Sequence, residues 1–371
     1  MEPGDPLPDS WRASLAASLV VATEIRLLRE QLRGSAITPE AAASDILASV
    51  RRLMEDHSLP QLLASAAVSP PHDALTRPLE PGNRGDLVDG RYRLLQLLGE
   101  GGMGQVYLAE QLGTGRRAVL KFMHASARSA ESQAFFEHEI RALAAVQHPR
   151  VASIYDAGRV DGRLYIAMEY VSGESLRAHI ESGDLSFQDA CLVILQACAG
   201  LDAIHTHQII HRDIKPENIM IRRTPSGIEV KIVDFGIAII NQRDAVGNLT
   251  GEGMVSGTCA YMSPEQVQAL PVTPASDVYS LGIVAYELFS GANPFRGRSP
   301  HETMFNQMQL DPPPLDGVLP HCPAVVARAV ERTLVKDPAR RARSARDLAA
   351  AMAEALSGLS RDTAVGAGNL T

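Results

Sequence analysis

The sequence predicts an α+β fold in two lobes, a small antiparallel β lobe with one helix followed by a large α-rich lobe, the pair preceded by a helical extension. Three observations carry this expectation. From Arg91 the chain breaks into short runs with strand alternation, RYRLLQLLGE, VYLAEQ and RRAVLKFM, parted by turn-forming residues. A second pair, VASIYDAG and LYIAMEYV, closes on Asp161-Gly162, a dipeptide suited to a tight hairpin turn. Beyond it the apolar spacing is mostly helical as far as Leu356. A length of 371 residues suits one large two-lobed domain with additions.

Residues 10–33 read as a first helix, with Leu15, Leu19, Ala22, Ile25, Leu28 and Leu32 recurring every three or four positions, Ser10 as N-cap and Gly34 as stop. A second helix starts at Thr38 with Pro39 at its first position, and carries Ile46, Val50, Leu53 and Met54 on one face to about His57. Together they make residues 1–68 a helical hairpin whose apolar faces need cover from each other, from the lobes or from a second chain. A regulatory or dimerising module is the expectation, hence a homodimer or a regulator as partner. Residues 69–90, dense in Pro, Gly and Asp, read as a linker. The two-lobed domain then spans 91–356, with the small-lobe helix at about Glu131 to Val146, and 357–371 read as a flexible tail.

Apolar residues make up 45% of the chain, charged residues 21% and aromatics 5%, the profile of an ordinary globular protein. A net charge of -8 argues against wrapping nucleic acid, which needs a basic surface. Cys191, Cys198, Cys259 and Cys322 lack the paired spacing of a zinc site or a disulfide framework, so a reducing compartment is expected. The N-terminus, MEPGDPLPDSWR, places acid and proline where a secretion signal carries lysine or arginine. The most apolar windows, Ala13 to Thr23 and Ala190 to Ile204, fall short of the ~18 residues of a spanning helix. The expectation is a soluble, cytoplasmic protein with no membrane span and no nucleic-acid partner.

GEGGMGQVY at residues 99–107 sets Gly99, Gly101 and Gly104 in a G-x-G-x-x-G frame. Bare backbone lets amides approach the phosphates of either a dinucleotide or a nucleoside triphosphate. The following residues separate the two. A dinucleotide turn opens a helix aimed at the pyrophosphate. Here Gln-Val-Tyr-Leu-Ala-Glu after Gly104 alternates as a strand, so the loop joins two antiparallel strands as a flap over phosphates. The next strand carries AVLK at residues 118–121, and an ammonium inside an apolar run calls for anionic partners such as phosphate oxygens and a carboxylate.

Downstream stand HRDIKPEN at 211–218, VDFG at 233–236 and YMSPE at 261–265. With the glycine loop and the strand lysine, this ordered set resembles the eukaryotic-type serine/threonine protein kinases, specifically their bacterial (Hanks-type) branch, from Arg91 to about Leu356. The resemblance implies a bilobal protein-kinase fold and transfer of the γ-phosphoryl group of ATP to Ser or Thr hydroxyls of proteins, with Mg2+ or Mn2+. Lys121 would hold the α and β phosphates and Glu139, in FFEHEIRAL, would pair with it, Glu137 being the competing position. Asp213 would accept or orient the acceptor's hydroxyl proton, Lys215 would neutralise the transferred group, and Asn218 and Asp234 would ligate the metal. Leu98, Gly99, Glu100, Gly101, Gly102, Met103, Gly104 and Gln105 would cover the nucleotide. Val106, Ala118 and Met220 would sandwich adenine. Met168 falls at the gatekeeper position, and Glu169 to Val171 would present hinge amide and carbonyl groups.

Lys215 and Thr258, in SGTCAYMSPE, suit Ser/Thr acceptors. Asp277 would brace the catalytic loop, and Arg341, in KDPARR, would pair with Glu265 inside the large lobe. Arg212 would bind a phosphorylated activation loop, since a phosphothreonine offers a bidentate partner, and Thr250 is the expected autophosphorylation site. HTHQIIHRD has the look of a metal cluster, yet in this fold its histidines fall on a helix end and a turn, which favours packing or solvation. Cys259 reads as a small buried hydrophobe sooner than as a redox sensor. The repeat of GNLT at 247–250 and 368–371 is of a length that chance supplies. A catalytically silent pseudokinase scaffold is the alternative, against which intact Lys121, Asp213 and Asp234 count.

Overall fold

In the computed structural model, which describes residues 85–101, 104–123, 140, 143–160, 162–234 and 258–368, the small lobe is a six-stranded antiparallel sheet. Its strands are β1 (Leu87–Val88), β2 (Tyr92–Gly101), β3 (Gly104–Gln111), β4 (Arg116–Met123), β5 (Ile154–Val160) and β6 (Arg163–Glu169), in the order β1-β2-β3-β4-β6-β5. All described residues belong to the unit Glu80–Thr371. The helices expected within residues 1–68 and the linker as far as residue 84 lie outside the described residues. So do Gly102, Met103, Glu137, Glu139 and Thr250. Of the helix expected at 131–146, Ile140, Leu143 and Ala144 are described and helical, and Ile140, Leu143 and Val146 are buried.

Strand period decides which side chains reach the cleft. Ala118, Leu120 and Phe122 of β4 point into a small-lobe core with Tyr92, Leu94, Tyr107 and Tyr165. Successive strand residues face opposite sides, so Val119, Lys121 and Met123 face the other way, and Val119 and Met123 pack with the large-lobe core. Val106 lies directly across from Lys121, and Leu108 from Val119, so Val106 shares that face. This corrects the place expected for Ala118: it belongs to the small-lobe core, and Val119 is the cleft-facing residue of β4.

The large lobe holds a second sheet, ordered β7-β8-β9, of β7 (Glu174–Ser175), β8 (Ile219–Thr224) and β9 (Gly227–Ile232). Its helices are α1 (Leu176–Ser182), α2 (Phe187–Thr206), α3 (Pro264–Val267), α4 (Pro274–Ser290), α5 (Pro300–Gln309), α6 (Leu315–Val318), α7 (Ala324–Thr333) and α8 (Arg346–Gly368). Helix starts are set by hydroxyl caps: Ser186 and Asp189 form a reciprocal box at α2, and Ser263 with Gln266 does the same at α3. Helix α4 is buried without a break from Ala275 to Glu287 and forms the axis of the lobe. A Cβ built on Gly282 would lie 1.9 Å from Thr333 Oγ1, so glycine there is what lets α7 approach α4. Gly282→Ala is expected to destabilise the lobe by about 1–3 kcal/mol through overpacking, read as a lower midpoint in urea unfolding.

Two boundaries differ from the sequence reading. The stretch read as linker contains β1, whose Leu87 and Val88 pair with Arg93 and Tyr92 of β2 and which buries Val88 against the small-lobe core. Its polar neighbours hide a two-residue strand from any alternation test. At the other end α8 runs to Gly368, beyond the expected stop near Leu356; the interior glycines at 358 and 366 cost a helix only about 1 kcal/mol each. Among the described residues one helix, α2, is long and apolar enough to cross a membrane, and half of that stretch is buried inside the protein.

Candidate active site

The catalytic loop hangs on one buried carboxylate. Asp277 of α4, 1% exposed, accepts the backbone N–H of His211 at 2.8 Å, that of Arg212 at 2.8 Å and the His205 ring Nε2 at 2.8 Å. These donors hold Arg212 at φ 67°, a left-handed backbone uncommon for a non-glycine residue. His205 is spent on Asp277, and His207 Nδ1 lies 2.9 Å from the Ala203 carbonyl. The His211 ring accepts the Asp213 N–H through Nδ1 at 3.3 Å and reaches the Val233 carbonyl through Nε2 at 3.2 Å. Burial pushes its pKa down, which keeps it neutral and suits a tautomer with the proton on Nε2. The histidines of HTHQIIHRD therefore serve packing and loop geometry.

Asp213, 6% exposed, receives Lys215 Nζ at 2.8 Å and Asn218 Nδ2 at 3.0 Å on the same oxygen, Oδ2, while Asn218 Nδ2 also donates to the Asp213 carbonyl at 2.8 Å. Asn218 ends the 3₁₀ turn Pro216–Asn218, and its own carbonyl accepts Val233 N–H at 2.9 Å. That bond sets Asp234, one residue on, beside the catalytic loop. Asp234 also has a left-handed backbone, φ 57°, and its Oδ1 forms an ion pair with Lys121 Nζ. Lys121 is 5% exposed, so the pair meets the need for an anion at a buried ammonium. Lys121, Asp213, Lys215, Asn218 and Asp234 are accordingly joined through one hydrogen-bonded stretch of chain; Glu139 lies outside the described residues.

Above this cluster, β2 and β3 form the expected antiparallel flap: Gly99 pairs with Val106, Glu100 with Gln105 and Gly101 with Gly104. Gln105 Nε2 also donates to Glu100 Oε1 at 3.3 Å. Gly104 has φ 135°, and a Cβ there would fall 1.8 Å from the Phe122 carbonyl, so no other residue fits that approach. Leu98 is exposed, and Met168 is buried in the large-lobe core. On β8, Ile219 and Ile221 enter the core, which turns Met220 to the opposite face, the one it shares with Lys231 of β9. The Glu169 carboxylate takes Lys231 Nζ at 2.6 and 2.7 Å and Ser153 N–H at 3.2 Å, so the hinge is tied to the strand that leads to Asp234. The backbone N–H and C=O of Val171 make no hydrogen bond among the described residues.

Arg341 meets Glu265 with both arms, at 2.7 and 3.0 Å, and Ser276 Oγ donates to Glu265 Oε1 at 2.7 Å. Arg212 Nε is buried with no hydrogen-bond partner among the described residues. Thr258 opens the 3₁₀ turn Thr258–Tyr261. Cys259 is buried and its thiol pKa is pushed up by burial, as befits a packing residue.

A curled antiparallel sheet above a helical lobe, with a lysine of the sheet paired to the aspartate after β9, is the protein-kinase fold. The chain belongs to that family: residues 92–352 match the family described as protein kinase domain. Among curated relatives, it is 40% identical over 283 residues to serine/threonine-protein kinase pkn2 of Myxococcus xanthus, covering 75% of this chain and 34% of that one. It is 41% identical over 281 residues to serine/threonine-protein kinase PknA of Mycobacterium tuberculosis, 74% of this chain and 63% of that one. Against PrkC of Bacillus subtilis the identity is 35% over 268 residues, 72% of this chain and 40% of that one. The chain thus spans between about a third and two thirds of the length of these relatives. Among solved structures, the PknI kinase domain of Mycobacterium tuberculosis superposes with a TM-score of 0.57 at 27% identity, covering 74% of this chain and 99% of that one.

Proposed function

We propose that this chain is a serine/threonine protein kinase that transfers the γ-phosphoryl group of ATP to protein hydroxyls. The observation that carries the reading is the continuity of Asp213, Asn218 and Asp234, joined by the Asn218 amide and the Val233 N–H, with Lys121 on Asp234. The metal residues fit their ion: Asn218 Oδ1 and Asp234 Oδ2 are hard oxygens with no hydrogen bond among the described residues, the donor type that magnesium or manganese takes. When bound there, the ion supplies positive charge to the phosphate oxygens.

The protein's own groups do the rest. Lys121 moves its charge from Asp234 to the α and β phosphates as nucleotide enters. Val106 and Val119 from the roof and Met220 from the floor enclose adenine, and Val171 offers its backbone N–H and C=O to the ring edge. Asp213 Oδ2 is held by Lys215 and Asn218, which leaves Oδ1 for the acceptor hydroxyl. The hydroxyl oxygen bonds to the γ phosphorus, the bridging oxygen departs with ADP, and the proton passes to Asp213. Lys215 steadies charge on the group in transfer. Arg212, whose Nε has no hydrogen-bond partner among the described residues, suits a phosphate on the activation loop, for which Thr250 is the candidate by autophosphorylation. A cytoplasmic location and a regulatory or dimerising role for residues 1–68 belong to the same proposal.

The test is transfer of labelled phosphate from ATP by the full chain, with magnesium, to itself and to a generic basic protein. Lys121→Ala is expected to lower transfer at least ~100-fold, with label on Ser and Thr and, in the wild type, on Thr250. Nucleotide binding with no transfer by the wild type would instead make the protein a pseudokinase scaffold.

A further inference from the structure

Arg177, on α1, joins three parts of the large lobe. Its Nε lies 2.9 Å from Glu217 Oε1, in the 3₁₀ turn that ends at Asn218, and its Nη1 lies 3.0 Å from Glu287 Oε1 on α4. Its Nη2 contacts the hydroxyl of Tyr261, the last residue of the turn Thr258–Tyr261, and that hydroxyl donates to Glu287 Oε2. Glu287 and Tyr261 are 4% and 3% exposed, so the guanidinium is what makes a buried carboxylate tolerable there. A lysine carries one point of charge and cannot span three partners; the planar fork can.

Of the three anchors, Glu217 stands next to Asn218, whose amide holds both the carbonyl and Oδ2 of Asp213. Tyr261 closes the segment that begins beyond Asp234. Among the described residues no hydrogen bond or ion pair joins Glu217 or Tyr261 to Val106, Val119, Lys121 or Met168, the residues proposed for the nucleotide side of the cleft. A shift of Glu217 therefore moves the Asn218 amide and, through it, the Oδ2 of Asp213 that leaves Oδ1 for the acceptor. We propose that Arg177 is a positioning residue for phosphoryl transfer: by pinning Glu217 and Tyr261 to the buried Glu287, it holds the acceptor side of the catalytic loop in register. This rests on the kinase reading above.

The experiment uses the full chain with Arg177→Met, Arg177→Lys and the double variant Arg177→Met/Glu287→Gln, the last removing the buried charge that the single change strands. Thermal midpoint, affinity for a fluorescent ATP analogue, and kcat and KM for a basic protein acceptor are measured. The double variant is expected to melt near the wild type and to bind nucleotide within about twofold, with kcat/KM for the acceptor about 10- to 100-fold lower, the scale of a small misplacement of reacting groups. Arg177→Lys is expected to fold and to remain impaired. Wild-type kcat/KM in either of these two variants would reduce Arg177 to a structural ion pair, and weakened nucleotide binding equal to the loss in transfer would overturn the acceptor-side assignment. Failure of the kinase reading itself shows separately, as absence of transfer by the wild type.

Discussion

Asp213→Asn is expected to lower phosphate transfer by about three orders of magnitude, within the range typical for loss of a general base, while nucleotide affinity stays within about twofold. The substitution keeps size and shape. The remaining carbonyl oxygen can still accept Lys215 and Asn218, which both meet Oδ2, so the amide falls where Oδ1 faced the acceptor. A neutral amide takes no proton from the hydroxyl. Lys215 loses its ion-pair partner but is 17% exposed in its side chain and finds water, so the fold is spared. In the proposed binding mode Lys121 and the β2–β3 flap hold the phosphates, and no hydrogen bond among the described residues joins Asp213 to either. Steady-state transfer to a basic protein, paired with titration of an ATP analogue, separates the two effects. A variant that transfers within tenfold of the wild type would remove Asp213 from the chemistry.

How much of this was legible in the sequence depends on whether a signal is local. The strands of the small lobe, with β5 paired to β6, and the helical lobe follow from periodicity, since strand and helix repeats impose different spacings on apolar residues. HRDIKPEN places Asp213, Lys215 and Asn218 within one loop because the groups that meet there are a few residues apart in the chain. Ala118 shows the limit of motif matching: counting by twos from Lys121 arrives at Val119, and the same period buries Ala118 on the opposite face. Glu217 lies inside that same motif, yet its link to Arg177 and Glu287 spans three distant segments. No spacing rule reports a contact between α1, the catalytic loop and α4. The tie between Glu169 and Lys231 was hidden for the same reason. Each sits in a strand whose alternation says which face it takes but not what stands across from it.

Arg341→Met is expected to destabilise the large lobe by about 3–5 kcal/mol, the cost of stranding a buried carboxylate. For a domain of this size that is a drop of about 10 °C in Tm. Arg341 and Glu265 are both 3% exposed, and Arg341 further donates to the carbonyls of Ala275 at 2.9 Å, Val335 at 2.8 Å and Lys336 at 2.9 Å. It also lies 4.7 Å from the centre of the Tyr279 ring. The pair thereby fastens the residues after Tyr261, which carry α3, to the segment between α7 and α8. Burial alone would push the Glu265 pKa up, but the hydrogen bonds from Arg341 and Ser276 outweigh it and the net direction is down from the ordinary 4.5. A carboxylate with a depressed folded-state pKa contributes stability that is complete above its unfolded value and fades as pH falls through the folded one. Wild-type stability should therefore decline below about pH 4.5 partly through this group. In Arg341→Met the sign reverses: Glu265 is left buried without its cation, its folded pKa rises above the unfolded value, and acidification toward that value recovers part of the loss. Replacing both residues, as Arg341→Met/Glu265→Met, removes both charges and is expected to restore most of the midpoint, with this pH dependence gone. Urea unfolding of the three proteins from pH 4 to 7 measures all of this, and a single variant as stable as the wild type across that range would show that the pair holds nothing together.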